Sequence, residues 1–331
     1  MNKLVSVIIP AYNSALWIRD AIECIISQSY QFIEIIIVDD GSSDNTSDIV
    51  RPYISDKVIY YFQENKGASA ARNKGIELAS GYFIQFLDAD DILDRQKIKE
   101  QVDAYERASD RDSIISSSWY TFSVNINAAI ERRNSIWKDF IPARGFLIEA
   151  WSKGLWMPIF SWLIPKHLIE KSGYWDERIS FQDDGEFFSR VVLSSSRVLF
   201  CDKAKGYYRT GITGSLSSQL DRKAAMSHFL VCQLYEENLL KYSNDEEARE
   251  AVASNFKNFV YFHYPNYTDL ITKAEVRVNE LGGSSVKPQG THLFKLIYSF
   301  LGWKIARRIE KFYYGKGLNY SSFKSKILGK I

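Results

Sequence analysis

The sequence predicts an α/β fold: a Rossmann-like, mostly parallel sheet flanked by helices, with a helical extension at the C-terminal end. Three observations predict it. Short, β-branched apolar runs alternate with amphipathic stretches over residues 4–95. The turns between them are short, as doubly wound sheets require. From about Asp221 onward the pattern is helical alone. The 331 residues are enough for one large domain or a domain with an appendage. The expected division is 1–220 and 221–331.

The elements follow in order. Leu4–Ile9 is short, apolar and ended by Pro10, as a buried strand should be. A helix is expected from about Ala15 to Ser27, with Leu16, Ile18, Ile22 and Ile25 on one side. Ile33–Val38 is the second strand. Asp39-Asp40-Gly41 then turns the chain, and Ser43 or Asp44 can cap the helix after it. Lys57–Phe62 gives a third strand, Gly67–Leu78 a helix rich in small residues, and Tyr82–Leu87 a fourth strand. Residues 92–110 look helical and charged, and Ser113–Phe122 is another strand. The stretch 125–144 is polar, fitting a loop or short hairpin. Ala150–Trp175 holds four tryptophans, at 151, 156, 162 and 175.

Composition excludes several classes. A net charge of +2 argues against a nucleic-acid binder. Cys24, Cys201 and Cys232 are too scattered for a disulfide framework or a zinc knuckle, so a reducing, cytoplasmic setting is expected. No window reaches the roughly 20 apolar residues of a spanning helix. The four histidines stand apart in the sequence and are expected to be structural. Charge is uneven, however. Residues 287–331 carry ten Lys or Arg and one acid, Glu310, against 32 basic and 39 acidic residues elsewhere. Within that tail, residues 291–314 mix Trp and Phe with Lys and Arg at helical spacing. That pattern fits a helix lying on anionic membrane, or one packed on protein.

Ligands of such sheets bind beyond the carboxyl ends of the strands. Each predicted strand here ends in polar or turn residues: Pro10-Ala-Tyr-Asn, Asp39-Asp40-Gly41, Gln63-Glu-Asn-Lys-Gly and Asp88-Ala-Asp-Asp. Carboxylates gathered at one strand end repel unless a cation or donor-rich partner joins them. Asp88 and Asp90, one residue apart, suit a hard divalent ion shared with phosphate oxygens. A strand end with helix-capping acids gives the same pattern. Asp40 can pair with a base or sugar hydroxyl, or close an Asx-turn. Neither GxGxxG nor a Walker loop is present.

Four blocks, in order, resemble the family 2 glycosyltransferases of the GT-A fold. They are Val5-Ser-Val-Ile-Ile-Pro-Ala-Tyr-Asn, Ile35-Ile-Ile-Val-Asp-Asp-Gly-Ser-Ser-Asp-Asn-Thr, Asn65-Lys-Gly-Ala-Ser-Ala-Ala-Arg-Asn-Lys-Gly and Phe86-Leu-Asp-Ala-Asp-Asp. The resemblance implies that Pro10, Ala11 and Tyr12 line a nucleotide base and that Asp40 bonds its edge. Gly67, Arg72, Asp88 and Ala89 would lie along the nucleotide-sugar, and Asp90 would bind Mn²⁺ or Mg²⁺. Phe181-Gln-Asp-Asp-Gly-Glu-Phe-Phe-Ser-Arg resembles the family's catalytic block. It implies Asp184 as the base, with Asp183 and Glu186 as the neighbours that could take its place. Where family members carry Tyr-Arg-x-His, this chain has Tyr208-Arg209-Thr210-Gly211, without the His. Arg209, Thr210, Thr213, Ser215 and Ser217 are the polar groups left there.

Aromatic faces bind sugar rings, so Trp156 is a candidate acceptor wall; core packing explains the same residues. The implied function is an inverting, metal-dependent transfer of a hexose or N-acetylhexosamine. The donor would be a nucleoside-diphosphate sugar, UDP by preference, and the acceptor a glycan or lipid-linked glycan. Two alternatives remain: a nucleotidyltransferase, which should show a glycine-rich basic loop that this chain lacks, and a catalytically silent nucleotide-sugar-binding scaffold.

Overall fold

The computed structural model describes residues 3–108, 110–212 and 221–315. Among the described residues nine strands and eleven α-helices, numbered in chain order, are named as they arise. The main sheet holds β1 (Val5–Ala11), β2 (Ile33–Asp39), β3 (Val58–Phe62) and β4 (Phe83–Phe86) in parallel. Their order is β3-β2-β1-β4, with β8 (Ile164–Pro165) antiparallel beyond β4. The chain therefore reverses direction across the sheet between β1 and β4, which makes the crevice at their carboxyl ends the expected ligand position. Val5, Val7, Ile8 and Ile9 of β1 are fully buried on both faces, as a covered parallel sheet demands.

Helix α1 (Ile18–Ile26) follows β1, α2 (Thr46–Val50) follows β2, and α3 (Ala68–Leu78) follows β3. Helix α3 lies very close to β1. A Cβ on Gly75 would come within 2.3 Å of Ile8 Cγ2. That close approach is why α3 is built of small residues.

A second sheet stands beside the first: β5 (Ile92–Leu93), β9 (Arg197–Arg209), β6 (Ser113–Phe122) and β7 (Ile130–Glu131), in that order. Strands β6 and β9 run parallel, with a register shift at Ser117/Ser118. The region expected to be helical from residue 92 thus opens with a two-residue strand, and its helix, α4, spans Lys97–Arg107. Helices α5 (Arg144–Lys153), α6 (Lys166–Ser172) and α7 (Asp183–Ser194) complete the first part.

Beyond it come α8 (Arg222–Tyr242), α9 (Glu246–His263), α10 (Thr268–Glu280) and α11 (His292–Gly315). Asp221 and Asp245 cap α8 and α9 by accepting from the Ala224 and Ala248 amides. Helix α8 packs on α7 and α9 packs on α5, and one apolar core runs from the sheet through Trp151 and Tyr235 to Phe256. The histidines are not all isolated: His228 Nδ1 and His263 Nε2 lie 3.1 Å apart between α8 and α9. Burial lowers both, to about 3 and about 4, so the pair is neutral and structural.

Candidate active site

Four strand ends build the site. The loop after β1 is tied to the loop after β2: Asn13 N donates to Ser42 Oγ, Ser14 N to Thr46 Oγ1 and Ala15 N to Asp44 Oδ2. Asp40 N donates to Ala11 O at 2.8 Å, so Ala11 and Asp40 are neighbours at the edge. Ala11 is buried, while Tyr12 offers an exposed ring. Asp40 itself is buried, and its carboxylate gathers the loop after β3. It accepts from Gln63 Nε2 (2.7 Å), Lys66 N (2.9 Å) and Gly67 N (2.8 Å). Gly67 precedes α3 with φ 94°, a conformation that favours glycine. Gly41 is constrained by space as well: a Cβ there would sit 2.9 Å from Asn65 N.

Helix α3 then delivers Arg72. Its guanidinium is buried and lies 4.5 Å over the Trp175 ring. One nitrogen donates to Asp183 Oδ2 at 2.7 Å and another to Asp88 Oδ1 at 3.0 Å. Burial alone would lower Arg72, but Asp183 and Asp88 outweigh it and hold the cation above its ordinary range. A single arginine thus joins the turn after β4 to the start of α7.

Strand β4 has ended before Asp88. Residues 88–91 form a turn closed by Asp91 N donating to Asp88 O at 3.1 Å. Ala89 is buried in this turn. Asp90 is half-buried, and its carboxylate takes no hydrogen bond from another residue among those described. Burial, then the charge of Asp88, push its carboxyl up to about 6. Asp91 is fully buried. Its Oδ1 accepts from Arg209 N at 2.9 Å, and Oδ2 has no partner among the described residues. Burial first, then Asp90 and Asp88, push it well up.

Arg209, at the end of β9, braces the turn. Its Nε donates to Asp90 O at 2.8 Å, another nitrogen reaches Asp20, and its guanidinium lies 4.5 Å from both the Trp17 and Phe122 rings. Thr210 is spent on Phe122 O. Thr213, Ser215 and Ser217 lie outside the described residues.

The three acids opening α7 have different fates. Asp183 is held by Arg72 and Ser69. Glu186 is buried and paired through both oxygens with Arg190, at 2.7 and 2.8 Å. Among the described residues Asp184 has no cation within ion-pair distance and accepts only from Gly185 N, at 2.7 Å. Burial, then Asp183, raise it to about 6. A carboxyl held there can exchange a proton near neutral pH.

Of the four tryptophans, Trp151, Trp162 and Trp175 are buried, and each stacks on an aromatic ring: Tyr235, Phe188 and Phe187. Trp156 is 48% exposed, its ring 4.8 Å from Trp119 and 5.7 Å from Tyr208. Burial raises the Tyr208 phenol, and then Asp91, Asp88, Asp90 and Asp184 raise it further. The aromatic shelf therefore borders the carboxylates. Asp91, Trp119, Tyr208 and Tyr235 are site neighbours that sequence reasoning missed. Asp91 was visible in the Asp-Asp pair, but its burial was not.

Among the described residues no three His, Cys, Asp or Glu side chains form a ready metal cage. Mg²⁺ and Mn²⁺ do not need one. They take one or two carboxylates, then substrate oxygens and water. Asp90, unpaired and crowded by Asp88, fits that kind of ligand set.

A family model described as Glycosyl transferase family 2 matches residues 6–159. Glycosyltransferase GlyG of Streptococcus pneumoniae is 36% identical over 241 residues, covering 67% of this chain and 75% of that protein. An uncharacterized glycosyltransferase of Rickettsia typhi is 30% identical over 201 residues; the match takes in 59% of this chain and 60% of that relative's length. In three dimensions the chain resembles residues 1–349 of S. aureus TarS, crystallised with UDP-GlcNAc. The TM-score is 0.67 at 19% identity, over 96% of this chain and 93% of the other. That likeness establishes the GT-A fold. The chain belongs to glycosyl transferase family 2.

Proposed function

We propose that the protein is an inverting, metal-dependent glycosyltransferase. It would move a hexose or N-acetylhexosamine from a nucleoside-diphosphate sugar to a hydroxyl of a glycan or lipid-linked glycan. The observation that carries this is the sorting of carboxylates around Arg72. Asp88 and Asp183 are neutralised by it, which leaves Asp90 and Asp184 on separate elements without an ion-pair partner among the described residues. The UDP-GlcNAc bound to the TarS neighbour favours a UDP sugar as donor.

The roles follow from placement. Pro10, Ala11 and Tyr12 would flank the base, with the Tyr12 ring open to stack on it. Asp40, with its oxygens engaged by the 63–67 loop, would set the shape of that pocket and offer its remaining lone pairs to the base. The Gly67 turn, Arg72, Asp88 and Ala89 would border the diphosphate and ribose. Asp90 would hold Mn²⁺ or Mg²⁺, which when bound stabilises negative charge on the departing diphosphate. Asp184 takes the proton of the attacking hydroxyl as the hydroxyl oxygen bonds to the anomeric carbon. The bond to the diphosphate oxygen breaks on the opposite face. A base titrating near 6 is ionised at neutral pH yet basic enough to share a proton in the transition state. Trp156 and Trp119 would present an apolar wall to the acceptor sugar.

The experiment is turnover with UDP-sugars in wild type and Asp184→Asn. Loss of transfer with nucleotide binding kept supports the assignment. Full transfer in the variant would remove Asp184 from the mechanism. Nucleotide binding without any turnover in wild type would favour the silent-scaffold alternative.

A further inference from the structure

Residues 285–290 and the start of α11 meet the end of α5 in a groove of about 510 Å³. Lys153, Lys287 and Lys295 all line it, with Ser152 and Ser285. All three lysines are exposed. Lys153 is offset by Glu149, at 2.8 Å. Lys287 and Lys295 have no carboxylate within ion-pair distance among the described residues.

Helix α11 continues from this groove as two arms, broken at Gly302, where φ is 77°. Its inner face is anchored. Phe294 and Ala306 are fully buried, Trp303 packs on Tyr261 and Tyr264, and Arg307 donates to Gln289 O. Its outer face is apolar, and no described residue covers it. Leu296 and Phe300, four residues apart, share one side of the first arm; Leu301 and Ile305 flank the break. Phe300 is 80% exposed. Arg308, on the second arm and 5.5 Å over the Tyr264 ring, has no acidic partner among the described residues. The sequence then adds Lys316, Lys324, Lys326 and Lys330.

We propose that the lysine groove and the outer face of α11 form one docking surface for anionic phospholipid. An exposed apolar edge beside unneutralised lysines matches a bilayer interface, in which phosphates lie above acyl chains. The charge complementarity is specific: the basic excess is confined to this end of a chain that is acidic elsewhere. The inference deepens the lipid-linked part of the proposed function and rests on that part alone. A peripheral enzyme held this way would meet acceptors carried on membrane lipid.

The test is sedimentation of the full-length protein with vesicles of phosphatidylcholine, with and without phosphatidylglycerol. UDP binding is measured on the same samples. Binding is expected only with phosphatidylglycerol, weakening as salt rises. Lys287→Glu with Lys295→Glu should lower partition about tenfold or more, at about tenfold per 1.4 kcal/mol and about 1 kcal/mol per charge. Phe300→Ser with Leu301→Ser should lower it as well, with melting temperature and UDP binding unchanged in both. A control pair, Lys57→Glu with Lys203→Glu, should bind vesicles nearly as wild type. Equal binding to both vesicle types, or wild-type partition in both test variants, would overturn the proposal. So would a dimer that is lost in Phe300→Ser with Leu301→Ser, or binding of inorganic phosphate without binding of vesicles. None of these outcomes touches the assignment of Asp90 and Asp184.

Discussion

Asp184 and Asp90 are carboxylates kept costly in the folded protein, and their chemistry follows from that cost. Burial raises both to about 6, from an ordinary 3.8. Between those values the folded chain binds more protons than the unfolded one, so stability contributed at these groups falls as pH rises from about 4 to about 6. Asp184→Asn removes one such charge. It should lower kcat by about 10²–10⁴-fold while leaving the UDP Kd within a few-fold. It should also raise the melting temperature by a few degrees. The stability gap between variant and wild type should widen from pH 4.5 to pH 7, which a calorimetric series checks. For wild type, kcat should climb with pH through about 6 as Asp184 loses its proton, then level off. A flat profile from pH 5 to 7 would mean that another group takes the proton.

Arg72 is the point at which elements are coupled. It reaches from α3 to the turn after β4 and to the first turn of α7. Arg72→Lys keeps the charge but lacks the fork that spans two carboxylates. The expected result is a 10- to 100-fold loss of turnover and a loss of about 1–3 kcal/mol of stability, read from kinetics and urea melts. Helix α7 is also set from behind. A Cβ on Gly185 would meet the Tyr235 hydroxyl at 2.0 Å. Gly185→Ala should therefore shift the start of α7 and cost about 1–3 kcal/mol. Tyr235→Phe in the same chain should restore part of that stability, which a double-mutant cycle measures.

The four parallel strands of the main sheet were legible in the sequence to within two residues at each end, because buried parallel strands are continuous apolar runs ended by turn residues; the two-residue antiparallel β8 was not. The second sheet was only half legible. Ser113–Phe122 read as a strand, but Arg197–Arg209 has only the four-residue apolar run Val198–Cys201 before Asp202, Lys203, Lys205 and Gly206 break the pattern. It pairs with β6 from about eighty residues away, and such pairing leaves no local signal. The same limit applied to Trp156. The sequence makes it a candidate acceptor wall with core packing as the alternative, and only the packing, which leaves it exposed beside Trp119 and Tyr208, separates it from Trp151, Trp162 and Trp175.

At the scale of the whole molecule, the sheet edge, the second sheet and the C-terminal helices each supply one side of the site. The strand ends bring Asp40, Asp88 and Asp90, β9 brings Tyr208 and Arg209, and α8 places Tyr235 behind Asp184. Among the described residues no helix is long and apolar enough to cross a membrane. If the division of labour between the two carboxylate groups is right, donor binding and proton transfer are separable. Removing divalent metal with a chelator should abolish most UDP binding without unfolding the chain, a loss that added Mn²⁺ restores.

The most direct test is calorimetric titration of UDP, with and without Mn²⁺, into wild type, Asp90→Ala and Asp184→Asn. Metal-dependent binding in wild type and Asp184→Asn, lost in Asp90→Ala, is the predicted result. Undiminished metal-dependent binding in Asp90→Ala, or its loss in Asp184→Asn, would contradict the assignment of one carboxylate to the donor and the other to the acceptor.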